Sequence, residues 1–176
     1  EWGDRFRGWL DHPTPQALLE ASIFFDFRAV HGHLDVSRLR AAAGRAKGAR
    51  TFLSAMAKSA LTFHVPGGLA LRLRSESSKF DMKLKGISPI VFLARVYGLE
   101  SAARTSNTLD RLRTCVEVGL IAKDTCDTLS EAYRFLLRVR LREQIKMISL
   151  GKPPSNMISL SDLSSMERSR LRDAFR

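Results

Sequence analysis

The stretch from Asp124 to Leu150, DTCDTLSEAYRFLLRVRLREQIKMISL, decides how the chain folds. It holds no glycine or proline, and Gly151 with the pair Pro153 and Pro154 supplies a stop just beyond it. About seven helical turns fit in that space, enough to run the length of a helical bundle. Placed at 100° per residue, Leu129, Tyr133, Leu136, Leu137, Leu141 and Ile148 share one apolar face, and Arg140 and Gln144 land in its middle. Arg134, Arg138, Arg142 and Lys146 fall mainly on the far side, where cations are ordinarily solvated.

Working outward, helical signals recur on both sides. Thr14 followed by Pro15 is a helix start, because threonine can cap free amides while proline suits the first helical position. That helix runs through Leu18, Leu19 and Ile23. A second stretch starts near Val36, with Leu39, Ala43, Ala46, Leu53, Met56, Ala60 and Phe63 at helical spacing, weakened by Gly44 and Gly48. Ser88 and Pro89 restart a helix through Val91, Ala94, Val96 and Leu99, and another runs from Asn107 through Leu109, Leu112 and Val116 to Gly119. Ser164 and Glu167 form a capping box for a last helix through Leu171 and Phe175. Pro66, Gly67 and Gly68 interrupt the pattern, and alternation from Leu69 to Lys85 predicts a long loop or short hairpin around residues 66–85. The expected architecture is therefore an all-α, up-and-down helical bundle over residues 1–176, a single domain with little strand.

Composition sets limits on function. At 176 residues, 44% of them hydrophobic, the chain can bury a real core and does not read as disordered. The net charge of +11 suits nucleic acid, nucleotides, anionic surfaces or an acidic neighbouring domain, and does not choose among them. Cys115 and Cys126 lie outside metal-ligand spacing, which suits reduced thiols in a cytoplasmic protein. No apolar run approaches the roughly 20 residues that span a bilayer, so no membrane partner is expected. The chain begins at Glu1, and Trp2 to Leu10 reads like the middle of an element, so a fragment of a larger multidomain protein is expected.

A guanidinium directed into a bundle needs an acceptor, since an unpaired buried charge costs several kcal/mol. For Arg140 the candidates are Asp26, in Phe24-Phe25-Asp26-Phe27-Arg28, and Asp81, in Phe80-Asp81-Met82-Lys83. Either would close a structural salt bridge, the commoner arrangement in bundles. The functional reading places Arg140, Gln144 and Arg28 in a polar cleft that holds an anion.

Four stretches carry a family resemblance: Ala21-Ser22-Ile23-Phe24-Phe25-Asp26-Phe27-Arg28, Asp81-Met82-Lys83-Leu84-Lys85-Gly86-Ile87-Ser88-Pro89-Ile90, Asn107-Thr108-Leu109-Asp110-Arg111-Leu112 and Phe135-Leu136-Leu137-Arg138-Val139-Arg140-Leu141. In order and content the chain, from about Trp9 to Phe175, resembles the C-terminal domain of bacterial nucleotidyltransferases. These are similar to the PII-protein uridylyltransferase and often carry cyclic-nucleotide-binding and CBS domains upstream. Two stretches, Ala41–Ala49 and Leu69–Ser78, depart from the family pattern.

The resemblance implies a helical substrate-binding or regulatory module in a signal-transduction protein, placed after the catalytic domain. It implies no cofactor in this fragment, with magnesium and a nucleoside triphosphate belonging to the upstream domain. The implied partners are that domain and a nucleotide or protein substrate; a homodimer is compatible, and non-specific nucleic acid is less favoured. On this reading Asp26, Arg28, Asp81, Lys83, Lys85, Arg140 and Gln144 line a cleft facing the catalytic domain. Asp26 orients the arginines, while Lys83 and Lys85 neutralise phosphate.

Catalysis within the chain finds little support. Nucleotidyl transfer needs a Gly-Ser or Gly-Gly turn and two nearby carboxylates for the metal. Gly67-Gly68 and Asp81 imitate part of this, but Lys83 stands where the second carboxylate belongs. Arg28 and His33 have the Arg-x4-His spacing of HEPN ribonucleases, which makes an RNA-binding or RNA-cleaving bundle the enzymatic alternative. Gly32 precedes that histidine, and a loop position for His31 and His33 is the plainer reading. A purely structural docking domain is the third. Walker loops, nucleophile elbows, HExxH and zinc patterns are absent from the sequence.

Overall fold

The computed structural model describes residues 2–24, 31–32, 49–62, 79–101 and 103–173. Asp26, Arg28, His33, the first half of the helix expected from Val36, the Leu69–Ser78 segment and Phe175 lie outside them. The described fold is all-α apart from one two-stranded ribbon. Its helices are α1 (Trp2–Asp11), α2 (Pro15–Phe24), α3 (Ala49–Thr62), α4 (Ser88–Glu100), α5 (Thr108–Glu117), α6 (Lys123–Ser149) and α7 (Ser165–Asp173). The strands are β1 (Lys79–Asp81) and β2 (Met157–Ser159). The chain divides into two compact units, residues 1–60 with 92–122 and residues 61–91 with 123–176.

In the first unit, Phe6 and Leu10, one turn apart on α1, are buried with Ala21 of α2 and Phe52 and Met56 of α3. Trp9, Leu18, Phe92, Val96 and Leu99 pack around them. The rings of Phe6 and Trp9 meet edge to face at 5.3 Å. Thr14 Oγ1 accepts the Ala17 amide at 3.1 Å, so α2 starts where the Thr-Pro pair predicts. Asn107 Oδ1 accepts from the amides of Leu109 and Asp110 and starts α5. That helix ends at Gly119, whose φ of 75° lets the Gly119 and Leu120 amides reach the carbonyls of Val116 and Cys115.

The second unit is built on α6. Its core joins Leu136 and Val139 of α6 to Phe80, Met82, Ile87, Ile90, Ile158, Leu160, Leu163 and Leu171. Gly151, at φ 69°, closes α6 with the same pair of bonds, Gly151 N to Ile148 O and Lys152 N to Met147 O, both 2.9 Å. Ser164 and Glu167 form the expected capping box: Glu167 N donates to Ser164 Oγ at 3.2 Å and Ser164 N to Glu167 Oε2 at 2.9 Å.

The described part of the 66–85 region differs from a local hairpin. β1 pairs antiparallel with β2, on the far side of α6 in sequence, with Phe80 opposite Ile158. Both of those side chains are buried. Short apolar alternation fits any apolar strand partner, so pattern alone does not select the nearer one. Residues Met82–Ile87 then form a π-helical turn capped by Asp81, whose Oδ1 accepts the Leu84 amide at 2.8 Å. The Ser88 amide closes it on the Lys83 carbonyl, and the chain continues directly into α4. Proline at 89 cannot donate to the carbonyl four residues back, so a wider turn just before it accommodates the missing bond.

Candidate functional site

The long helix determines what the site can be. Along α6 the buried positions are Cys126, Ser130, Leu136, Val139 and Glu143. Leu129, Tyr133 and Leu137 pack against that core as the angular placement predicts. Leu141 and Ile148 do not: they are 58% and 59% exposed. Toward the C-terminal end of α6 the inward positions pass to Val139 and Glu143 instead.

Glu143 can be buried because cations meet it. Arg142 Nη2 lies 2.9 Å from its Oε1, and Lys146 Nζ lies 3.9 Å from its Oε2. Arg142 also reaches across to Glu167 of α7, the capping-box residue. The hydrogen bond to Glu167 holds the Arg142 guanidinium above its usual range. Burial pushes Glu167 up, but hydrogen bonds from Ser164 and Arg142 outweigh it and leave the carboxyl below its ordinary value. Arg142, although its side chain is exposed, thus ties α6 to α7.

Of the two carboxylates expected for Arg140, Asp26 lies outside the described residues and Asp81 is engaged elsewhere. Arg140 Nε donates to the side-chain oxygen of Asn156 at 2.7 Å, and Gln144 Nε2 approaches the same oxygen at 3.4 Å. Asp81 caps the π-helical turn. Asn156 is held in turn by its backbone, whose carbonyl accepts the Met82 amide at 3.0 Å. The end of the ribbon, the first residue of the π-helical turn and the C-terminal half of α6 therefore converge on one asparagine. Helix and turn also touch directly, since a Cβ on Gly86 would stand 3.3 Å from Met82 Sδ and 3.4 Å from Leu136 Cδ2.

This arrangement sets Arg140 and Gln144 on one acceptor, Asn156. Lys83, exposed, and Lys85, half-buried, sit on the π-helical turn. Asp26 and Arg28 lie outside the described residues. Asn156 stands in a Pro-Pro-Ser-Asn connection that reads only as a helix stop, and nothing in its spacing announces a role. Chemically, a neutral oxygen orients the Arg140 guanidinium through Nε without cancelling its charge. Its terminal amino groups have no partner among the described residues, and a guanidinium fork of this kind takes a carboxylate or phosphate through two parallel bonds. Among the described residues no group of three or more His, Cys, Asp or Glu could hold a metal ion, and no helix is long and apolar enough to cross a membrane.

A family model described as "Putative nucleotidyltransferase substrate binding domain" matches residues 50–176, more than half of the chain. The matched span includes Asp81, Lys83, Lys85, Arg140, Gln144 and Asn156, and leaves out Asp26 and Arg28. No curated protein and no solved structure matches the chain.

Proposed function

The chain belongs to the family of nucleotidyltransferase substrate-binding domains, and on that premise we propose that it serves as the accessory substrate-binding or regulatory domain of a uridylyltransferase-like signalling protein. The catalytic domain, with its magnesium and nucleoside triphosphate, precedes it in the same polypeptide, as do cyclic-nucleotide-binding and CBS domains. The protein works in the bacterial cytoplasm. Chemistry is supplied by the upstream domain, and this one presents substrate to it.

One observation carries the reading: Arg140 sits half-buried on the central helix with a neutral acceptor on Nε and no carboxylate partner among the described residues. A structural arginine in such a place normally closes an ion pair. An arginine held open by an amide is suited to an anionic ligand, with Gln144 beside it to take a further polar group. Lys83 and Lys85 supply long-range attraction for phosphate from the π-helical turn.

Titration of ATP and UTP into the purified chain, followed by calorimetry, tests the assignment. Arg140→Ala is expected to weaken binding by about 10-fold or more, the loss of a charge-assisted hydrogen bond of about 1.5–3 kcal/mol. The thermal transition should remain cooperative. Unchanged nucleotide and protein-substrate affinity would remove Arg140 from the site. In a second assay, the chain with magnesium and labelled nucleotide should transfer nothing to an acceptor.

A further inference from the structure

The outward side of α6 carries a feature that substrate binding leaves unused. Leu141, Ile145 and Ile148 stand one turn apart at i, i+4 and i+7, and are 58%, 54% and 59% exposed. Leu150, just past the helix, is 63% exposed. The opposite side of the same turns buries Val139 and Glu143, so this end of α6 is apolar outward as well as packed inward. Scattered exposed aliphatics need no explanation; an aligned row of them on one helix face does.

The rim of this row is cationic. From 138 to 152 the basic residues are Arg138, Arg140, Arg142, Lys146 and Lys152, and the one acidic residue is Glu143. Arg142 is paired with Glu143 and Glu167, and Lys146 lies 3.9 Å from Glu143, so the positive charge left to edge the row comes chiefly from Arg138 and Lys152. Arg138, Arg142, Lys146 and Lys152 are exposed. An apolar spine edged by positive charge complements an apolar spine edged by negative charge.

We infer that the Leu141, Ile145 and Ile148 face of α6 docks an acidic amphipathic helix of a partner protein or domain. The mode is helix against helix, with aliphatic anchors repeating at three and four residues and Glu or Asp at the flanks. A second copy of α6 fits poorly. Antiparallel pairing centred on Ile145 sets Arg138 against Lys152, and the shift that would bring Glu131 opposite Arg138 places Ile145 opposite Asp124. This surface lies on the exposed side of α6, apart from the Arg140 and Asn156 cluster, and stands whether or not that cluster binds nucleotide.

The test uses the whole chain and a fluorescein-labelled 18-residue helical peptide with Leu at i, i+4, i+7 and i+11 and Glu at the flanking positions. A scrambled peptide of the same composition serves as control. Anisotropy should show binding of the patterned peptide at least 10-fold tighter than of the scramble, weakening as salt rises. Ile145→Asp, or the milder Ile145→Gln should the first perturb folding, should reduce that affinity at least 10-fold while nucleotide affinity stays unchanged. Equal binding of both peptides would reduce the surface to unspecific charge and overturn the proposal. So would binding to vesicles of anionic phospholipid with none to the peptide. Self-association in sedimentation that is abolished by Ile145→Asp, with peptide binding unaffected, would assign the face to a second copy instead.

Discussion

Arg140 Nε donates to Asn156 Oδ1 at 2.7 Å, across a 16-residue separation that joins the C-terminal half of α6 to the connection before β2. Among the described residues a neutral acceptor in this position leaves the arginine charge available. Asn156→Asp would place a carboxylate there and convert the contact into an ion pair. Nucleotide affinity is expected to fall about 10-fold or more, while the thermal midpoint holds or rises, because charge-assisted hydrogen bonds are about twice as strong as neutral ones. Asn156→Ala should lower stability by about 1 kcal/mol. Combined melting and titration of the two variants checks this. An Asn156→Asp protein that binds nucleotide as well as the parent would show that the open charge has no role.

Arg142 and Glu167 join α6 to α7, and the pH dependence follows from the carboxyl. Its value in the folded protein lies below the ordinary 4.5. A group depressed on folding contributes stability that is fully present above the unfolded value and is lost as pH falls through the folded one. Stability of the parent should therefore decline below about pH 4.5, and Glu167→Gln should show a shallower decline there. At neutral pH, Ser164→Ala should cost about 1 kcal/mol through loss of the cap. Urea melts between pH 3 and 7 give both readings, and parallel acid limbs for parent and Glu167→Gln would contradict the linkage.

Much of the helical framework was legible because its signals are local. Asn107, Gly119, Gly151 and the Ser164 and Glu167 pair act within four or five residues of themselves, and each sits where its chemistry requires. Angular placement also singled out Arg140 and Gln144, which share Asn156 as an acceptor. It misjudged Leu141 and Ile148 and gave no place to Glu143, because periodicity knows the width of an apolar stripe but not where its packing partners stop. Glu143 takes an inward place once Arg142 and Lys146 neutralise it. Asn156 and the pairing of β1 with β2 depend on tertiary approach, for which neither segment carries a sequence signal. Asp81, one of the two carboxylates expected for Arg140, caps the π-helical turn instead, and among the described residues it is the amide of Asn156 that orients the guanidinium.

Gly98 and Gly86 both face close neighbours, and should respond differently to alanine. A Cβ on Gly98 would stand 2.9 Å from Cδ and 3.0 Å from Cγ of Arg111, whose side chain is buried and bonded through Nε to Thr105 O at 3.0 Å. The stem can move only by disturbing that bond, so Gly98→Ala should destabilise by about 1–3 kcal/mol. On Gly86 the contacts are 3.3 and 3.4 Å to the ends of Met82 and Leu136, which can yield by a few tenths of an ångström. The reduced entropy of the unfolded chain offsets part of that strain. Gly86→Ala should be within about 1 kcal/mol of the parent. Denaturant midpoints for the pair test the ranking, and a larger loss at Gly86 would reverse it.

The orientation of α6 gives the sharpest contrast, since periodicity assigns Leu136 and Leu141 to one face while the fold separates them. Leu136 is 1% exposed in the core of the second unit, and Leu141 is 58% exposed. Leu136→Ala should therefore cost about 2–5 kcal/mol, from lost transfer energy and the cavity left behind. Leu141→Ala removes a side chain that water already reaches, and alanine is the better helix former, so stability should change by no more than about 0.5 kcal/mol. Equilibrium urea unfolding measures both. Comparable losses at the two positions would mean that Leu141 is covered in solution, and the outward docking face proposed for α6 would then be occupied by this chain's own folded structure.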